Sequence, residues 1–96
     1  MDHYFIAQIK ITDEASYQQY LAGVDAVFEK YQGTYLSVDD NPLILEGSWD
    51  YTRTVLIQFP SREAFDAWYQ SEAYQDLLKY RLKGAHCDTI LAKGIE

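Results

Sequence analysis

Phe5, Ala7, Ile9 and Ile11 alternate with Tyr4, Ile6, Gln8 and Lys10, the period of two that marks a strand. Both faces are apolar at its start, which suits a strand covered on two sides. The period then changes to three and four. Tyr17, Tyr20, Leu21, Val24, Val27, Phe28 and Tyr31 lay one stripe along a helix that Thr12 or Asp13 caps and that Gly33, free to take a positive φ, ends. Thr34 to Val38 begins a second strand, interrupted by the Asp39-Asp40-Asn41-Pro42 turn and resumed from Leu43 to Trp49. Asp50 to Arg53 reverses the chain into Thr54 to Phe59, a strand that Pro60 stops because it has no amide hydrogen for a ladder. Ser61 caps a second helix with Phe65, Trp68 and Tyr69 on its first apolar face. The spacing slips by about one residue at Ser71, which predicts a kink or a new helix start, and Tyr74, Leu77, Leu78, Arg81 and Leu82 form a second stripe. Gly84 closes this helix, and His86 to Lys93 supplies the last strand.

Strand, helix, strand, strand, helix, strand is the order of a split βαββαβ sandwich, an α+β fold with a four-stranded antiparallel sheet. Its two helices lie on one face, so the other face must meet water or a second copy of the chain. The pattern therefore predicts a homodimer. A length of 96 residues fits one domain over 1–96 and leaves no room for a second. A chain of this size gains useful stability from burying a further sheet face.

Charge narrows the choice of partner. A formal net charge of −7 repels polyphosphate and anionic membrane surfaces at long range, so neither nucleic acid nor membrane is expected. A single cysteine, Cys87, allows no internal disulfide and carries no sign of an oxidising compartment. Met1-Asp2-His3-Tyr4 lacks the basic and apolar regions of a signal peptide, and no run is long enough to span a bilayer, so a soluble cytoplasmic protein is expected.

Arg81 is the conspicuous candidate for chemistry, because a cation stands in the apolar stripe of its helix. Two readings are open. The guanidinium holds a carboxylate or enolate oxygen of a ligand at a pocket rim, or it makes a structural ion pair with Glu46 or Asp88 or snorkels to water at the helix end. Glu46 sits in the apolar segment Leu43-Ile44-Leu45-Glu46-Gly47 with Trp49 near; desolvated it serves as a general base, otherwise it faces solvent or pairs with Arg53 or Arg81. His86 and Asp88 are two apart on a strand and so project to one face, where the carboxylate can orient the imidazole. With His3 the other histidine, metal ligands are too few and scattered to predict a site. No phosphate loop, nucleophile elbow or paired-cysteine motif is present, and no cofactor is expected. Tyr17, Tyr20, Tyr31, Trp49, Trp68, Tyr69 and Tyr74 line a cavity for a small, partly polar organic ligand, or else fill the core and a dimer interface.

Glu46-Gly47-Ser48-Trp49, Arg53, Phe59-Pro60-Ser61, Ala64, Trp68-Tyr69, Ser71, Tyr74 and Arg81, in this order and approximate spacing, resemble the family called domain of unknown function 1330. The likeness spans nearly the whole chain. It implies membership of the dimeric α+β barrel superfamily: a ferredoxin-like monomer that pairs sheet to sheet, with a pocket in each subunit between sheet and helices. It implies no reaction, since relatives in that superfamily include cofactor-free monooxygenases, lactone isomerases, haem proteins and pure binders. Haem is not expected here, with His86 its one candidate axial ligand. Many members carry an arginine or a glycine-rich stretch where this chain has Ser37-Val38-Asp39-Asp40-Asn41. The expected function is thus binding of a small organic ligand by a dimer. An enzymatic form has proton transfer beside a carbonyl, with Glu46 or His86 as base and Arg81 steadying the enolate, or cofactor-free oxygenation. The rival is a noncatalytic dimer with a filled core.

Overall fold

Phe5, Ala7 and Ile9 are buried while the residues between them are half-covered, so the first strand turns one face into a core and leaves the other toward the outside. The computed structural model describes residues 1–95. Its elements run β1 (His3–Ile11), α1 (Glu14–Phe28), β2 (Thr34–Asp39), β3 (Arg53–Phe59), α2 (Arg62–Tyr69), α3 (Glu72–Gly84) and β4 (Ala85–Lys93). The sheet order is β2-β3-β1-β4 with every neighbouring pair antiparallel. This is the expected ferredoxin-like α+β architecture, with the second helix divided in two at Ser71, where the spacing predicts a kink or a new helix start.

The third helix comes from Ser71. Its Oγ accepts from the Tyr74 amide at 3.1 Å and donates to the Trp68 carbonyl at 2.8 Å, so one hydroxyl ends α2 and caps α3. Ser61 caps α2 through the Ala64 amide, and Asp13 caps α1 through Ser16. Trp68 sits at the centre of the core, with ring centroids of Tyr74, Phe59 and Phe5 at 4.2, 5.5 and 5.7 Å. Such aromatic contacts add to the burial of the rings themselves.

Two expectations are corrected. The first helix stops at Phe28 rather than at Gly33, and Gly47 is the one residue with positive φ among those described. Gly33 is small for a different reason: a Cβ there would lie 2.5 Å from Phe28 and 2.9 Å from Phe59. The run from Leu43 to Trp49 does not resume β2. The Asp39 carboxylate accepts from the Asn41 amide at 2.9 Å, Pro42 follows, and the chain leaves the sheet as an irregular strap on which Leu43 and Leu45 are 85% and 84% exposed. Apolar composition imitated a strand where no neighbouring strand offers a ladder.

Gly84 is where α1 and α3 meet. Its carbonyl accepts from the amides of Thr12 and Asp13, and a Cβ at this position would fall 2.6 Å from the Tyr17 nitrogen and 2.9 Å from the Asp13 oxygen. Both obstacles are backbone and cannot rotate aside. Gly84→Ala should therefore cost about 1–3 kcal/mol. The check is a denaturant melt: a lower midpoint at unchanged m value is expected, and a midpoint equal to the parent's would show that the helices part without cost.

Candidate functional site

Between the helix-side face of the sheet and α1 lies a cavity of about 520 Å³, within the usual range for small-molecule sites. Ala7 opens its floor, because the flanking Phe5 and Ile9 fill the space to either side and Ala7 does not. Val55 and Ile57 of β3 extend the floor, α1 contributes Tyr17, Tyr20, Val24 and Asp25, and Trp68 and Arg81 close the far wall. β2 adds Tyr35 and Val38 to the mouth. These two are three apart and would face opposite ways on a regular strand. The register slips between Tyr35 and Ser37, a bulge that turns both toward the cavity.

Arg81 is 3% exposed, and its Nε and Nη1 are buried with no hydrogen-bond acceptor. Its guanidinium lies 5.9 Å from the Tyr20 ring centre. No carboxylate pairs with it among the described residues. Burial alone would lower its pKa, but Tyr74, Tyr20, Cys87 and Tyr69 together oppose this and hold it above the ordinary value. Trp68 Nε1 is likewise buried without an acceptor. Behind the wall the Tyr20 and Tyr74 hydroxyls are 2.9 Å apart. Burial raises both of their pKa values, Tyr20 far above its usual value, and Arg81 opposes the rise at Tyr74.

On the opposite wall Arg53 forks onto the Asp40 carboxylate, with Nε at 2.5 Å and Nη2 at 3.3 Å, and stands over the Tyr17 ring at 5.6 Å. Burial raises the Tyr17 pKa, with Arg53 opposing. Tyr35 is 39% exposed, yet partial burial and the nearby Asp25 carboxylate push its hydroxyl up to about 12. Cys87, half-buried on β4, has its thiol raised by burial against the pull of Arg81.

The residues singled out from the sequence fall into separate places. Tyr17, Trp68 and Arg81 line the cavity, and Tyr74 stands directly behind it. Tyr69 packs on Phe65 at 5.1 Å outside the lining. Glu46 is not on a strand and pairs with neither arginine; it is exposed on the strap, beside a second groove of about 400 Å³ that it shares with Trp49 and Thr54. His86 is exposed with Nε2 3.4 Å from Asp88, whose carboxylate also accepts from the Tyr51 hydroxyl at 2.6 Å, so Asp88 is not the partner of Arg81. No group of three or more metal-ligating side chains occurs among the described residues, and no helix of theirs is long and apolar enough to cross a membrane.

Comparison with known proteins agrees with this architecture. The sequence model for domain of unknown function 1330 (DUF1330) matches residues 2–95. The chain belongs to the DUF1330 family. No curated protein matches the sequence. Among solved structures, a protein of unknown function from Rhodopseudomonas palustris has a TM-score of 0.80 at 19% identity, over 99% of this chain and 83% of that one. A dimeric ferredoxin-like protein of unknown function from Jannaschia sp. CCS1 gives 0.76 at 12% identity, over 98% of this chain and 100% of its own. SnoaB, a cofactor-independent oxygenase from Streptomyces nogalater, gives 0.69 at 12%, over 99% and 94%. At such identities the likeness speaks for the fold.

In this DUF1330 protein the sequence reading passed over Asp25, Tyr35, Val38 and Arg53 as cavity residues. Arg53 carried a usable signal, as a cation opening an apolar strand; Tyr35 and Val38 depend on the bulge, which left none. The tyrosine pair makes a pH prediction. A phenol whose folded pKa is raised stabilises the fold fully below its unfolded pKa near 10, and that contribution is lost as the pH climbs toward the folded value. Ultraviolet titration of the DUF1330 protein's nine tyrosines should end in a late cooperative step that coincides with loss of helical circular dichroism. A single smooth titration of all nine with the fold intact would contradict burial of the pair.

Proposed function

We propose that this protein is a homodimer that binds a small organic molecule in the cavity between sheet and helices, with Tyr17 and Trp68 as walls and Arg81 as its principal polar group. The observation that carries the reading is a buried guanidinium with unpartnered donors in the wall of a cavity of about 520 Å³. A merely filled core would have neither. Dimerisation is supported by the outer sheet face, where Ile6 lies opposite Leu56 on one side and Ile90 on the other, and Ile90 is 60% exposed. It is also supported by the dimeric neighbour from Jannaschia.

Among enzymatic versions, oxygenation without a cofactor gains weight from the shared fold with SnoaB and from a cavity rich in donors for a developing oxyanion. Proton transfer by Glu46 or His86 gains none, since both stand outside that cavity.

Native mass spectrometry tests both halves of the reading. A dimer carrying a discrete added mass that is lost on denaturation is expected, and a monomer at micromolar concentration would sink the dimer. Leu56→Glu, which places a charge on the outer face, should shift the mass to the monomer. Ala7→Leu, which fills the cavity floor, should abolish ligand binding while leaving the dimer whole; unchanged binding would put the ligand elsewhere.

A further inference from the structure

The positive charge of the cavity wall has no partner, and this defines what completes it. Two arginines line the cavity, and Arg53 is already matched by Asp40. The groups near Arg81 are Tyr74, Tyr20, Cys87 and Tyr69, and none of them is a carboxylate. Asp25 is exposed at the mouth, beside Tyr35. One uncompensated positive charge therefore faces the cavity, although the chain as a whole carries −7. A guanidinium stays protonated even when buried, so only a negative ligand group can balance it in place.

The hydrogen-bonding capacity points the same way. The orphaned polar atoms here, Arg81 Nε and Nη1 and Trp68 Nε1, are all donors. The lining holds no histidine, and its one carboxylate, Asp25, is at the mouth. The interior can receive a proton acceptor and stabilise its charge, but it holds no buried base to create that charge. The remaining walls are the rings of Tyr17 and Trp68 with Ala7, Val24, Val55 and Ile57, which fit a flat apolar body.

Resting on the cavity reading above, we propose that the ligand is a flat unsaturated monoanion, a carboxylic acid or acidic enol already ionised in water, whose oxygen is the missing counter-charge of Arg81. A dianion such as a phosphate ester would exceed the single free charge and meet Asp25 at the entrance. A neutral ligand would leave the guanidinium as it stands.

The test compares 2-naphthoate with 2-naphthamide, alike in shape and different in charge, by calorimetric titration of the 96-residue chain. The acid should bind at least about ten-fold more tightly than the amide, the scale of one charge-assisted hydrogen bond. In Arg81→Met the two should bind alike, and Arg81→Lys should keep part of the preference. Equal binding by the wild type overturns the anion assignment and leaves the cavity reading standing, a result that needs no variant to fold. A preference that survives in a folded Arg81→Met also overturns it. Binding of neither compound at millimolar concentration overturns both the assignment and the cavity reading for ligands of this size.

Discussion

Everything on the helical side of the sheet depends on the break at Ser71. An unbroken helix advances 100° per residue, so Trp68 and Arg81 would point about 140° apart. One would face the core and the other water. Ser71 leaves the helical conformation with ψ at 146°, accepts from the Tyr74 amide and donates to the Trp68 carbonyl. The phase is reset, and α2 and α3 present Trp68, Tyr74 and Arg81 to the same interior. A single hydroxyl thus converts two incompatible stripes into one wall.

That wall is unusual in its energetics. Removing one member of a buried ion pair typically destabilises by about 3–5 kcal/mol, because the survivor is left uncompensated, and Arg81 stands in that condition within the monomer. Its ring neighbours soften the cost. The guanidinium lies over Tyr20, whose hydroxyl meets that of Tyr74, and burial keeps these phenols protonated, so they offer dipoles without a countercharge. Had an aspartate stood at the place of Tyr74, the site would be a closed structural pair. With the phenols in place the charge stays unpaired within the monomer.

Most of the architecture was legible because it rests on periodicity. The strand pattern of Phe5, Ala7 and Ile9, the caps at Asp13 and Ser61, and the slip at Ser71 are local signals, and local hydrogen bonds realise them. The site was legible in part. Arg81 was visible as a cation out of place in a stripe. Glu46 was misread because Leu43-Ile44-Leu45 has strand composition, whereas a strand requires a neighbour, and the Asp39–Asn41 turn with Pro42 carries this segment away from the ladder. Tyr35 and Val38 were missed for the converse reason: their common direction arises from a register slip set by pairing with β3, which no property of β2 alone encodes. Gly33 was taken for a backbone signal when the rings of Phe28 and Phe59 account for it.

The two faces of β1 join the two halves of the proposed function. Ala7 opens the cavity floor, and its neighbour Ile6 meets Leu56 and Ile90 on the outer face, one peptide away. Pairing sheet to sheet would cover those outer side chains and stiffen the same strand that carries the floor. A rigid floor matters most where a single charge must be met by a single ligand oxygen, because a loose one would admit water to solvate the guanidinium and reduce its hold on an anion. The proteins from Rhodopseudomonas, Jannaschia and Streptomyces share this scaffold at 12–19% identity, so the frame persists while nearly every side chain changes. Within that frame the chemistry of the cavity rests on the wall set by Ser71, which brings Trp68 and Arg81 to the same interior.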